Sequence, residues 1–305
     1  MRLTMLSGGV GGARLARGLA ALDGVDLTVI VNVGDDDELY GLSVSPDLDT
    51  VTYTLAGIEG IPGWGLADDS HIVMNHLEDF GVDTRFKIGD GDLATNLYRT
   101  IRLRDGASLS QVTAEIAAVL DLPARVLPAT DQSLRTEVLT ASAEWRSFQD
   151  YFVIGRHEEE VVDLRFANAA DAEPAPGVIE AIEQADAVVI GPSNPPLSIW
   201  PILAVPQITD RVSAASRVLA VSPLFGGRAL KGPAHLVLAS LGFPPGNEGV
   251  IAAYDGLLSD LIIDQSDAAE RGRLTSHGVS VHVRNTRFPV ANVAQEFGRW
   301  LIDLL

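Results

Sequence analysis

Short, uninterrupted apolar runs recur along the chain, each closed by a turn signal or a polar cluster. Arg2–Leu6 runs into Gly8-Gly9, and Leu27–Val33, Ala187–Ile190, Val218–Val221 and Leu261–Asp264 repeat the pattern. A run without polar alternation suits a strand covered on both faces. Helices are expected between the runs, at Ala13–Leu22, Pro176–Gln184, Lys231–Leu241 and Gly249–Leu258. Buried strands alternating with helices predict an α/β fold: a three-layer, Rossmann-like, doubly wound and mostly parallel sheet. Such sheets bind ligands beyond the carboxyl ends of their strands, so polar residues that directly follow a strand carry the most weight.

The stretch from Ile61 to Pro123 has a helical period instead. Ile72, Val73, His76, Leu77 and Phe80 share one face of an expected helix over His71–Phe80, and Ala94–Leu103 reads as another. Ser108 and Gln111 have capping-box spacing, followed by Leu109, Val112, Ile116, Val119 and Leu120 at intervals of three and four. The expected organisation is a Rossmann-like core over residues 1–60 and 124–305, with residues 61–123 a helical insertion packed beside the sheet. Glu173-Pro174-Ala175-Pro176 reads as a surface connector.

Charge narrows the partners. The 305 residues carry 22 Lys and Arg against 41 Asp and Glu, a formal net charge of −19, which repels a nucleic acid at long range. An anionic small molecule remains possible, because backbone amides, a few cations or a bound metal can meet its charge. There are no cysteines, so disulfides, thiolate metal sites and cysteine nucleophiles are excluded. No run approaches the roughly 18–20 apolar residues of a membrane span, and no signal peptide is read at the start; a cytoplasmic protein is expected.

Six segments could carry chemistry. Ser7-Gly8-Gly9-Val10-Gly11-Gly12-Ala13-Arg14 lies between a strand and a helix. It is either a phosphate-binding turn or simply a tight one, and it matches neither the dinucleotide nor the P-loop pattern. Asp35, Asp36 and Asp37 follow a buried strand, and Asp47 and Asp49 follow closely. Two or more carboxylates suit Mg²⁺; alternatively, Asp47 or Asp49 caps a helix beginning near Thr50. Gly89–Asn96 reads as a turn with Asp caps opening a helix. Gly191–Ile199 follows a central strand and presents Ser193 and Asn194 to a phosphate or ribose. Ser222–Pro233 places Arg228 and Lys231 beside a glycine pair. The six histidines lack metal-ligand spacing.

Taken together, SGGVGG at Ser7–Gly12, SPDLDT at Ser45–Thr50, GD-x-D-x-AT at Gly89–Thr95, GPSNPPLSI at Gly191–Ile199 and SPLFGGRALKGPA at Ser222–Ala234 resemble the 2-phospho-L-lactate transferase (CofD-like) family of coenzyme F420 biosynthesis. The resemblance implies a Mg²⁺-dependent transferase that acts as a homodimer. It would move a phospholactyl or phosphoenolpyruvyl group from a guanosine-diphosphate-linked donor to the deazaflavin Fo and release GMP. On that basis Asp49 and Asp35 are expected to hold the metal, with Asp47 assisting and one of the three drawing the acceptor's proton. Gly8, Gly9, Gly11, Ser193, Asn194 and Lys231 are expected on the donor nucleotide, and Lys87, Asp90 and Thr95 on Fo. Asp49→Ala is expected to abolish transfer and keep the fold. The family pattern GDRD-x-ATH is departed from at Gly91 and Asn96, which removes one cation, with Arg85 and Arg99 as the candidates to compensate. Two competing readings are a nucleotide-sugar-binding regulator of the same superfamily and a nicotinamide-dependent oxidoreductase. The retained SPDLDT and Lys87 regions favour the transferase over the first, and the failed dinucleotide fingerprint disfavours the second.

Overall fold

The computed structural model describes residues 1–61, 63–230 and 232–305. In chain order the strands are β1 (Arg2–Ser7), β2 (Asp26–Val31), β3 (Asp37–Leu39), β4 (Leu42–Val44), β5 (Arg125–Pro128), β6 (Arg135–Thr140) and β7 (Trp145–Ser147). They continue with β8 (Val161–Ala167), β9 (Ala187–Ile190), β10 (Val218–Val221), β11 (Leu224–Phe225), β12 (Arg228–Ala229), β13 (Asp260–Asp264) and β14 (Ser280–Arg284). Among the described residues, seven strands form one sheet in the order β14-β13-β10-β9-β1-β2-β5, every neighbouring pair parallel. All four residues of Ala187–Ile190 and of Val218–Val221 are buried, as a strand covered on both faces requires. Helix α1 (Gly9–Ala20) buries Leu15, Ala16 and Leu19 in the core it shares with Phe297 and Leu301 of the C-terminal helix Ala291–Leu304.

The chain runs outward from β1 to β2 and β5, then returns to the other side of β1 as β9. The order in which strands are added therefore reverses between β1 and β9, although all run parallel. At such a switch point the loops leaving neighbouring strands diverge and open a crevice.

Several boundaries differ from the sequence expectation. Helix α1 starts at Gly9, not Ala13, so the glycines are its first turn. Helix α2 (Pro46–Ala56) starts at its proline rather than near Thr50, because proline at the first helical position has a backbone angle already suited to a helix. Asp47 and Asp49 thus stand inside the first turn, and neither caps it. Helices α3 (Ile72–Asp79), α4 (Asp90–Arg104) and α5 (Leu109–Val119) occupy the segment of helical period. The Ser108–Gln111 capping box forms in full. The expected buried face of α3 does not: Met74 is buried, whereas Ile72 and Phe80 are 59% and 81% exposed. Asp90 accepts from the amides of Ile72 and Val73 and fixes the helix in that rotation.

Residues 135–167 form a separate antiparallel sheet, β7-β6-β8, that the sequence reading did not include. Its inner face, Val138 and Val161, packs with Tyr151, Leu197 and Val237. Ala175, within the expected surface connector, is buried. Among the described residues no helix is long and apolar enough to cross a membrane.

Candidate active site

A cavity of about 910 Å³ opens at the switch point, and the segments singled out from sequence line it. Gly8, Gly9 and Gly11 come from the β1–α1 turn; Ser193 and Asn194 from the loop after β9; Asp35 from the turn after β2; and Asp47 and Asp49 from α2. Lys87 and Asp92 reach it from the helical segment, and Arg14 and Arg287 from the first helix and the chain's last quarter.

The glycine turn is tight for internal reasons as well. Gly9 has φ +66°, and a Cβ at Gly8 would stand 2.4 Å from Asp47 Oδ2 and 2.7 Å from Ser198 Cβ. The Gly8 amide donates to Ser193 Oγ at 3.2 Å, and that hydroxyl donates to the Gly8 carbonyl at 2.7 Å. Ser193 thus ties the two diverging loops together. Asn194 Oδ1 accepts from the Leu197 amide and shapes its own loop. Gly8→Ala is expected to destabilise the chain by about 1–3 kcal/mol, the usual consequence of overpacking, read as a lowered midpoint in thermal unfolding. An unchanged midpoint would show that the two loops can part without cost.

Asn32, which ends the strand run, organises the carboxylates. Its amide nitrogen donates to Asp47 Oδ2 at 2.9 Å and to Asp35 Oδ1 at 3.3 Å, while its oxygen accepts from the Gly34 amide at 2.7 Å. Asp47 Oδ1 accepts from the Gly9 amide at 2.6 Å, at the positive end of α1. Burial raises the pKa of Asp35 well above the carboxylate range, and repulsion from Asp47 and Asp36 adds to it. Burial likewise pushes Asp47 up to about 6, against the pull of the Asn32 and Gly9 hydrogen bonds.

Asp49 faces another way. Its partner is Arg99, a residue 2% exposed, whose guanidinium also donates to Asn96 Oδ1 at 2.7 Å. Burial raises the Asp49 pKa and Arg99 pulls against it. Asp92, Asn96 and Arg99, spaced by four and three, lie on one face of α4. Tyr53 donates to Asp92 Oδ1 at 2.9 Å, so a buried chain of polar contacts runs from Tyr53 through Asp92, Asn96 and Arg99 to Asp49. Burial, then Asp49, raise Asp92 to about 6.

Other expected site residues are placed elsewhere. Asp90 does not line the cavity; its oxygens accept from Ser70 Oγ and from the Ile72 and Val73 amides. Thr95 is off the wall as well, beside the Tyr53 hydroxyl. Lys231 lies outside the described residues. Arg85 is exposed and pairs with Asp83, so of the two nearby arginines only Arg99 reaches the carboxylates, and it stands behind Asp49 rather than on the wall. Gly91 gives its amide to Asp69 Oδ1 at 2.8 Å.

The cavity also has an aromatic wall that went unassigned in the sequence: Trp64, Phe86, Phe148 and Phe152. The last two are stacked at 5.1 Å on the turn that follows β7. Their signal was the phrase Phe148–Val153, with aromatic residues three and four apart. Asp92 lay in the GD-x-D-x-AT phrase with no role assigned to it, and Arg99 lay within the expected helix Ala94–Leu103.

The donor set suits a hard cation. Asp35 and Asp47 are linked through one amide, sit on the cavity wall and repel each other, so a positive charge between them would offset both burial and repulsion. Among the described residues no three His, Asp or Glu side chains converge to form a metal cage. Mg²⁺ is the kind of ion that can be held by one or two carboxylates, with water and ligand oxygens completing its shell.

The family model for the 2-phospho-L-lactate transferase CofD matches residues 3–290. The chain belongs to the CofD family. It is 40% identical to a phosphoenolpyruvate transferase of Kitasatospora aureofaciens, covering 92% of this chain and 90% of that one. It is 41% identical to a 2-phospho-L-lactate transferase of Methanopyrus kandleri, covering 88% of each. A solved UPF0052-family protein of Bacillus halodurans, 18% identical, shares the fold with a TM-score of 0.65 over 99% of this chain. Membership makes this CofD-family chain a transferase, and the cavity is where its named motifs meet.

Proposed function

We propose that this CofD-family transferase of coenzyme F420 biosynthesis moves a phospholactyl or phosphoenolpyruvyl group from a guanosine-diphosphate-linked donor to a hydroxyl of the deazaflavin Fo, releasing GMP. The observation that carries the reading is the convergence of the glycine turn, the Asn194 loop and the Asp35–Asp47 pair at the switch point, facing an aromatic wall.

The donor's nucleotide would lie along Gly9–Gly11 and Asn194; Asp47 takes the Gly9 amide, and the amides that follow it in the first turn of α1 favour an anion. Arg14 and Arg287 are the arginines on that wall. Asp35 and Asp47 would hold Mg²⁺, which supplies positive charge against the donor's phosphate oxygens. Asp49 lines the cavity, but Arg99 already meets its charge, so its role moves from metal ligand to the acceptor side. There Asp49 or Asp92 can accept the proton of the attacking hydroxyl, and burial favours their protonated forms. Trp64, Phe86, Phe148 and Phe152 would receive a planar ring. Transfer of this kind depends mainly on positioning and on offsetting charge.

A coupled assay of GMP release, run with Fo and each candidate donor with and without Mg²⁺, tests the reading. GMP release that requires both Fo and Mg²⁺ is expected. Calorimetry showing that UDP-sugars bind while Fo does not would favour the regulator instead.

A further inference from the structure

The turn that carries Asp35 is held from outside the central sheet. Two of its carbonyls are taken up by the small antiparallel sheet and the segment that follows it. Gly34 accepts from the Thr136 amide of β6 at 2.6 Å, and Asp35 accepts from Gln149 Nε2 at 2.6 Å. Gln149 lies just past β7 and is 3% exposed. A buried carboxamide is costly unless it is hydrogen-bonded, and this one donates to the backbone of a cation-facing carboxylate.

The neighbours of Gln149 in sequence are the aromatic wall. Phe148 precedes it, Phe152 follows, and the two rings stack at 5.1 Å. Both rings, Gln149 and Asp35 line the main cavity. One short segment therefore presents a flat apolar face to the cavity and grips the Asp35 turn. The same segment is strained: Asp150–Ile154 is a π-helical turn, and Arg156 and His157, neither of them glycine, have φ of +51° and +45°. His157 stacks on Phe152 at 5.1 Å, so the strained pair abuts the ring wall.

Taking the ring and cation subsites as proposed above, on which this rests, we propose that Gln149 is a positioning residue that couples them. A planar ring on Phe148 and Phe152 and a divalent cation at Asp35 and Asp47 then strengthen each other's binding. Whichever binds first orders the segment and the turn together, and the second meets a site already ordered. The coupling is reciprocal, so each ligand must raise the other's affinity by the same factor.

Titration calorimetry of the full chain with Mn²⁺ and with Fo, each alone and with the other saturating, tests the link. The wild type is expected to bind each ligand about tenfold more tightly in the presence of the other. Gln149→Met keeps the side chain's length and removes its donor. It should bind each ligand alone within about threefold of wild type and lose the tenfold gain. Gln149→Asn falls a methylene short of the Asp35 carbonyl, should behave the same way, and stands in if the first variant does not fold. Gain retained in the folded variants overturns the role of Gln149, as does a loss of single-ligand affinity that leaves the gain intact. Both ligands bound by the wild type without mutual gain overturns the coupling and leaves the two subsites standing. Failure of the wild type to bind Fo or Mn²⁺ at all removes the subsites and the coupling with them.

Discussion

Replacing Asp49 with alanine is expected to remove about 3–5 kcal/mol of unfolding free energy, because it leaves a buried guanidinium without its counter-charge. Arg99 is 2% exposed and Asp49 6%, so water screens the intact pair little. Asn96 Oδ1 at 2.7 Å and the Ser43 carbonyl at 3.3 Å remain as acceptors for Arg99, but neither carries charge. The sequence alone predicts that this variant keeps its fold and loses only activity; the ion pair changes that expectation. Replacing both partners by apolar residues of similar volume, Asp49→Leu with Arg99→Met, should recover most of the loss, because a buried pair is worth far less than its broken half. Urea unfolding of the two single variants and the double variant measures this as a coupling energy. A loss under about 1 kcal/mol for Asp49→Ala would mean that the pair is screened, as surface pairs are, and would refute the buried placement.

What could be read from the sequence follows from which signals are local. The central strands are continuous apolar runs, so Ala187–Ile190 and Val218–Val221 appear where expected. Arg135–Thr140 was equally local, since its burial alternates along the strand, but a search for continuous runs passes over a strand of period two. The site segments were legible because each directly follows a strand. Their partners were not, because pairing is a matter of tertiary contact. Nothing near Asp49 in the sequence points to Arg99, 50 positions away. Asp90 looked like a site residue by motif, yet its oxygens hold the start of α3; Asp92, two positions on, reaches the cavity. That difference depends on helix α4 beginning at Asp90 rather than at Ala94, a boundary that periodicity locates only loosely.

Asp35→Asn is expected to lower transfer by about 100- to 10,000-fold, the range for removing one charged group from a reacting centre, and to abolish most of the stabilisation by Mg²⁺. The isosteric amide keeps the turn, so the effect should fall on metal dependence rather than on folding. In the wild type, Mg²⁺ at 100 times its dissociation constant should add about 2.7 kcal/mol of stability, and the variant should gain much less. The pH dependence provides an independent check. Burial raises Asp36 to about 7 and Asp47 to about 6, above the ordinary carboxylate value of 3.8. The folded chain therefore binds protons that the unfolded chain has already released. The stability linked to those protons is present below about pH 4 and lost as pH rises through 6 to 7. A cation paired with the charged carboxylates opposes that loss, so Mg²⁺ should raise the thermal midpoint more at about pH 8 than at about pH 5. Equal shifts at both pH values, or a full Mg²⁺ response in Asp35→Asn, would place the ion away from these carboxylates. The acidic pair would then serve to hold the glycine turn through Asn32 and Gly9 instead.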